Sequence, residues 1–412
     1  MIYLPGDMGG DWEMKEENIA KKINFQVAKK SAKLGVSDSM FILGCYYADG
    51  YGVRKNMRRA KKWWSKAAKA GNVDSQYNMA LMYVYGDGVK KSDEKVVKWC
   101  LEAAEQGHVL AQNELGYRYH NGLGVEKNLD QALKWYQKSA EQGFYIAEYN
   151  MGNMYQNGFG VDIDMEKAFE WYKKSADQGY ADAECQVGWM YSEGLGVEAN
   201  QETAVNWYIT SANKGCPRGI NNVGWEHERG GVLKKDLEKA MDWYLRAAEL
   251  GDPLAQRNVA RFYCKGYGVE QNDEKAMEWF LKSAEQGDTL SLKMVAYMYD
   301  HGRSVEESPE KAFEWYQKAA DLGDVGAIRT LGYKYAHGKG VEENYDEAIK
   351  LYLKAIELND DVACRLLGVM YGQGKGVEKD QDKATEWMRK AAERGDEMAK
   401  KYLEEQEEQE KQ

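Results

Sequence analysis

The stretch Leu115-Gly116-Tyr117-Arg118-Tyr119-His120-Asn121-Gly122-Leu123-Gly124-Val125 decides the fold, because it returns whenever the frame is moved by 36 residues in either direction. Its first glycine, Gly116, is in register with Gly44, Ala80, Gly152, Gly188, Gly224, Ala260, Ala296, Gly332 and Gly368, which makes ten copies without insertion or deletion. Self-similarity at a fixed period marks a repeat array, in which each unit buries its apolar face only against its neighbours. The 412 residues therefore need not be divided among separate globular cores, although a single core stops growing near ~300 residues.

Counting slots from that glycine predicts two helices per unit. Slot −1 is always apolar (Leu43 to Leu367), slots −5 and 0 are small, and slot +3 is Tyr in nine copies and His227 in the sixth. Steps of 100° per residue put these slots on one side of a helix A, and the small residues admit a second helix closely. Gly at slot +6 in all ten copies suits a left-handed C-cap. Slot +12 holds Asn56, Ser92, Asn128, Asp164, Asn200, Asp236, Asn272, Ser308, Asn344 and Asp380, all N-cap residues, so helix B starts there. Helix B carries Trp at slot +19 in nine copies and usually a second aromatic at +20; at helical spacing the Trp column reads as buried core. Slot +27 is Gly except for Asn359, the next best residue for a left-handed cap. Loops six (Gly230-Gly231-Val232) and eight (Gly302-Arg303-Ser304) depart from the Gly-x-Gly-Val pattern and are expected to differ in shape.

Residues 20–36 match a lone helix B, and residues 397–412 begin like a helix A but place Glu404 in the glycine slot. Both suit capping helices, whose outer face must be polar. Residues 1–19 lie outside the repeat and are expected to be poorly ordered.

The combined pattern, Leu-Gly-x-x-Tyr-x-x-Gly-x-Gly-Val then Ala-x-x-Trp-Tyr-x-Lys-Ala-Ala-x-x-Gly, resembles the Sel1-like repeat family, a relative of the tetratricopeptide repeats, over residues 37–396. The resemblance implies an all-α fold, a right-handed superhelical α/α solenoid of ten helix pairs between capping helices. It also implies an adaptor or scaffold for proteins or peptides. A secreted branch of the family pairs cysteines within each unit. Here Cys45, Cys100, Cys185, Cys216, Cys264 and Cys364 occupy six different slots and none has metal-ligand spacing. They read as reduced thiols, and a cytoplasmic protein is expected. No stretch reaches the ~20 apolar residues of a membrane-spanning helix. The formal charge of −11 disfavours nucleic acid or an anionic membrane as the main partner.

Catalytic spacing is absent. The Gly-x-Gly loops lack the strand and the Lys-Ser/Thr ending of a phosphate site, and no nucleophile–base–orienter set recurs. His301 and His337 share slot +5 of adjacent repeats, a weak two-ligand set. No enzyme activity, cofactor or metal is expected. The informative slots lie on helix A away from the core, an arc that lines the concave channel of tetratricopeptide-like solenoids. Slot −3 offers Tyr77, Tyr149, Asn221, Arg257, Lys293, Arg329 and Arg365, and slot +1 offers Tyr117, Trp189, Trp225, Arg261, Tyr297 and Tyr333, with Asn222 beside them. Trp, Tyr and Arg are common binding anchors. Arg forks match carboxylates, and Asn can bond a peptide backbone.

These residues point to a non-enzymatic scaffold that binds a protein or extended peptide, acidic or bearing a free carboxylate, toward the C-terminal half. The bland account of the basic stripe is a solvated face, or pairing with acids such as Glu228 and Asp300. Two alternatives stand beside the scaffold reading: an acidic immunity or inhibitor protein wrapping a basic partner, and single-stranded nucleic-acid binding in the channel, which the acidity disfavours.

Overall fold

The structure, a computed structural model, describes residues 9–410, with side chains described for 20–406. The expectation for residues 1–19 thus falls partly outside the described residues. From residue 9 onward the chain is helical: α1 runs Gly9–Lys33, so its turns extend back beyond the lone helix B read from the sequence. Then come α2 (Ser37–Asp49) and α3 (Met57–Lys69), the first of ten helix pairs; the last pair is Asp361–Gln373 and Gln381–Glu393. A final helix spans Glu397–Glu410. Among the described residues there are 22 helices and no strand. The chain divides into two compact units, Met1–Trp207 and Tyr208–Gln412. Within each, helices A and B of one repeat pack together and each helix B meets the next helix A, the arrangement of an α-solenoid.

Local chemistry sets the helix ends. In all ten repeats the slot +12 side chain accepts the backbone N–H three residues on, as Asn128 Oδ1 does from Gln131 at 2.9 Å. Each such bond satisfies one of the helix's orphan donors. Asn359 adopts φ 66°, the left-handed conformation that glycine takes at the equivalent slot elsewhere. Of the two unusual loops, the eighth keeps the common backbone: Ser304 sits at φ 61°, where the other loops have glycine. The sixth differs, with Gly230 at φ 73°, ψ 159° and Gly231 at φ 144°.

Core packing follows from the small residue in slot 0. A Cβ on Gly152 would lie 2.6 Å from the Tyr172 ring, and one on Gly332 would lie 2.7 Å from Tyr352. Helix A therefore touches the slot +20 ring directly, and Tyr172, Tyr244 and Tyr352 are among the largest fully buried side chains.

That packing corrects the reading of the Trp column. The deeper residue of the pair is usually at slot +20; Trp135 at slot +19 is buried, but Trp63, Trp99, Trp171, Trp207, Trp243, Trp279, Trp315 and Trp387 are only half-buried. Their outer faces carry a cation from the next helical turn: Lys318 Nζ lies 3.7 Å from the Trp315 ring centre, Lys282 3.9 Å from Trp279, and Lys174 4.0 Å from Trp171. Adjacent helix positions point 100° apart, so they cannot both face the same neighbour. A half-wet indole face is a good seat for an ammonium.

Slot +2 is mostly buried, Met in five copies but charged in three, Arg118, Glu226 and Lys334, the last with its side chain 3% exposed. Its Nζ donates to Asp300 Oδ1 at 2.6 Å and lies over the Tyr316 ring. Burying a charged pair gains little over a well-shaped apolar group. Removing one partner is another matter: Lys334→Met leaves Asp300 without its cation and should destabilise by about 1–3 kcal/mol, read from denaturant midpoints, although Met fits this slot elsewhere.

Candidate functional site

The slot −3 residues prove to be joints between repeats. In the C-terminal unit each basic residue reaches the aspartate that opens the next helix A: Arg257 to Asp288 at 2.8 Å, Lys293 to Asp324 at 2.9 Å, Arg329 to Asp360 at 2.6 Å and Arg365 to Asp396 at 2.9 Å. Every one of these aspartates also uses its Oδ1 as an N-cap, accepting from Ser291, Ala327, Ala363 or Ala399 N–H at 2.7–2.8 Å. One carboxylate thus closes a helix start and ties it to the preceding repeat. The pairing shows in protonation. Burial alone pushes Asp252 above the ordinary carboxylate range, and its counterpart in the preceding repeat is Asn221, which carries no charge. Asp396 is also desolvated, but the bonds from Arg365 and the Ala399 N–H hold it below that range.

In the N-terminal unit the same two slots meet as rings. Tyr77 lies 4.6 Å from the His108 ring and Tyr149 5.3 Å from Tyr180, centre to centre. Slot −3 therefore supplies two aromatic joints in one unit, at Tyr77 and Tyr149, and four ionic ones in the other. Asn221 accepts from Asn258 Nδ2 at 3.0 Å and lies beside Asn222, as Asn113 accepts from Asn150 in the N-terminal unit.

Slot +1 behaves differently. Arg261 is taken by Glu228 through two bonds of 2.7 and 2.6 Å. Burial opposes ionisation of Glu228, but the bonds from Arg261 and Tyr244 outweigh it and keep the carboxylate charged. Trp189 is half-buried against its own repeat. Tyr117, Trp225, Tyr297 and Tyr333 remain exposed. Each exposed ring of the C-terminal unit carries a partner one turn later at slot +5. The Arg229 guanidinium lies 5.0 Å over Trp225, and His301 and His337 stack on Tyr297 and Tyr333 at 4.1 Å, 29° from parallel. His301 Nδ1 is 2.9 Å from Tyr297 O, and His337 Nδ1 is 2.8 Å from Tyr333 O. Both imidazoles are thus laid flat on their own helix, a poor posture for sharing a metal. Among the described residues no group of three or more His, Cys, Asp or Glu is placed to hold one.

Two clefts open on this face. One of about 400 Å³ is lined by His301, Thr330, Tyr333, Lys334 and Lys339, with Asp300 and Glu307. The other, about 250 Å³ in the N-terminal unit, is lined by Tyr117, Asn121, Tyr136, Asn150, Asn153 and Asn157 among others. Slot-by-slot reading missed the joint aspartates. Their signal was a constant 31-residue offset from each slot −3 cation.

Paired helices repeated in register, with glycine-closed loops and an exposed variable face on helix A, define an α-solenoid repeat protein. The chain belongs to the Sel1 repeat family, whose model matches ten segments from 37–72 to 361–396. Similar solved structures include a protective antigen with an SLR fold from uropathogenic Escherichia coli, at 35% identity over 91% of this chain and 80% of that one, TM-score 0.61. A Sel1 repeat protein from Oxalobacter formigenes shares 36% identity over 58% of this chain and 96% of that one, TM-score 0.53. An immunity protein from Pseudomonas aeruginosa is more distant, 21% identical over 51% of this chain and 79% of that one with a TM-score of 0.37, and carries no argument about role. No match was found among curated protein sequences. Sel1 repeat proteins are generally protein-interaction scaffolds. No described helix is long and apolar enough to cross a membrane.

Proposed function

We propose that the chain is a protein-binding scaffold that holds an extended peptide segment on the helix-A face of its C-terminal unit, with the slot +1 rings as anchors. The observation that carries this reading is the exposure of Trp225, Tyr297 and Tyr333 in the same slot of repeats six, eight and nine, each backed by a residue one turn on. Rings that the core does not use, held flat and preorganised, bind at small entropic cost. Arg229 and Lys265 are exposed beside them, so acidic side chains between apolar anchors suit the face. The four slot −3 cations do not serve as ligand contacts in this reading, because their charges are already matched. The same pairing leaves few cations for nucleic-acid phosphates.

The test is capture of partners by the wild-type chain and by Trp225→Ala/Tyr297→Ala/Tyr333→Ala, identified by mass spectrometry. Partner recovery should fall at least tenfold in the triple variant, roughly 1–2 kcal/mol per anchor, with the melting curve nearly unchanged. Equal recovery would remove these rings from the account.

A further inference from the structure

The whole-chain charge conceals a strongly basic stretch, which follows an acidic one: residues 1–19 hold Asp7, Asp11, Glu13, Glu16 and Glu17 against Lys15. Residues 20–69 hold thirteen lysines and arginines against only Asp38 and Asp49, in a chain whose balance is −11. Several half-buried or buried cations elsewhere are matched: Arg118, Arg257, Arg261, Lys293, Arg303, Arg329, Lys334 and Arg365 all sit in ion pairs. Here eight lie outside any ion pair. Among the described residues Lys22, Lys30, Lys33, Arg54, Lys55, Arg58, Lys62 and Lys69 are exposed and enter no ion pair.

Helix α1 adds a second observation. Ile23, Val27 and Leu34 are exposed at 57%, 63% and 79%. A spacing of four residues puts Ile23 and Val27 in one ridge, which Leu34 continues in the turn just past Lys33, and steps of 100° place Lys22, Lys33 and Lys30 along one flank of it. The opposite side of α1 is already occupied, with Phe25, Ala28 and Ala32 buried against the first repeat. The loop after α2 rests on α1 at Gly52, and Lys21, Lys22, Tyr51 and Arg54 line a cleft of about 520 Å³ there, with Asp49 as its one acid.

We propose that this stretch is a docking surface for an anionic lipid bilayer, with the Ile23–Val27–Leu34 ridge entering the interface and the flanking lysines meeting phosphate headgroups. The chemistry discriminates among anionic partners. Protein interfaces are depleted in lysine and enriched in aromatic and arginine anchors, and single-stranded nucleic acid is held by aromatic stacking. Lysines beside an aliphatic ridge on one helix face are instead the composition of interfacial helices. Ten of the thirteen cations are lysine. The ridge alone is too small to insert firmly, so attraction to lipid charge must dominate and must fade with salt.

The experiment is co-sedimentation of the full chain with phosphatidylcholine vesicles, with or without about 30% phosphatidylglycerol, at about 50 mM and about 500 mM salt. Binding is expected only to the anionic vesicles and should be lost at the higher salt. Lys22→Glu/Lys30→Glu/Lys33→Glu should weaken it at least tenfold, and Ile23→Ser/Val27→Ser/Leu34→Ser about threefold or more. All six side chains lie on or just after a helix that packs against the first repeat, so a circular dichroism melt accompanies each variant. Arg54→Glu/Arg58→Glu, outside α1, provides a second route to the same loss. Failure to sediment with anionic vesicles, equal binding to neutral ones, or indifference to charge reversal would each overturn the proposal. So would retention of polyuridylate or polyglutamate at low salt without vesicle binding, which would assign the cations to a nucleic acid or an acidic protein.

Discussion

Asp360→Ala is expected to destabilise the C-terminal unit by about 2–3 kcal/mol, from roughly 1 kcal/mol for a lost N-cap and a further 1–2 for an arginine left without its partner. The carboxylate is 7% exposed and both oxygens are committed, Oδ1 to the Ala363 N–H at 2.7 Å and Oδ2 to Arg329 at 2.6 Å. Asp360→Asn separates the two roles. An amide oxygen can still cap, but the amide group carries no charge for Arg329, so the loss should be about half as large. Arg329→Ala should fall in the same range as Asn, since its side chain is partly solvated. Denaturant titration of all three, with a double-mutant cycle between positions 329 and 360, gives the coupling directly. A coupling near zero would mean that the ion pair is only a close approach in space. Charge reversal of the whole slot −3 set would for the same reason report on folding and not on ligand binding.

Gly340→Val should cost about 3 kcal/mol or more, as backbone strain and a steric clash combine. Gly340 lies at φ 76°, and a Cβ there would overlap the carbonyl of Pro309, in the first turn of the preceding repeat's helix B. No flexible side chain can yield, because the obstructing atoms are backbone. The same loop in the eighth repeat offers the reverse experiment. Ser304 already holds φ 61°, so Ser304→Gly should raise stability by about 0.5–1 kcal/mol through relief of the left-handed strain. Amide hydrogen exchange would localise both effects, with the loss from Gly340→Val centred on repeats eight and nine.

Much of the fold was legible because its signals are local. An Asn128 or Ser308 caps the helix it opens, and a glycine closes the helix before it, whatever the rest of the chain does. Asn359 could be read as a left-handed cap from its place in the column alone. The burial of slot +19 was not legible in the same way. Trp315 and Tyr316 are neighbours in sequence, both aromatic, and periodicity says that one points inward without saying which. Mass favoured Trp; packing against the small slot 0 residue, Ala296 in this repeat, favoured the smaller ring of Tyr. The slot −3 stripe was misleading for another reason. Arg329 and Asp360 sit in different repeats, and comparing a slot with itself across copies never brings the two together. The exposure of Tyr297 and Tyr333 follows from their slot on helix A, but the flat stacking of His301 and His337 depends on side-chain rotamers that no spacing encodes. The basic stretch was lost in a sum, since thirteen cations disappear inside a net charge of −11.

The two-oxygen aspartates make each helix start conditional on its neighbour. A repeat that unfolds beside Asp360 withdraws Arg329 from a cap it does not own, so the next helix A loses part of its own nucleation. In a nearest-neighbour description of a linear array, that moves free energy from the intrinsic term of each repeat into the coupling term between repeats. The C-terminal unit should therefore melt more cooperatively than its individual repeats would suggest, with partly frayed states scarcely populated. Because the penalty for desolvating ions shrinks on heating, that coupling should hold best where the aromatic joints of the N-terminal unit begin to loosen.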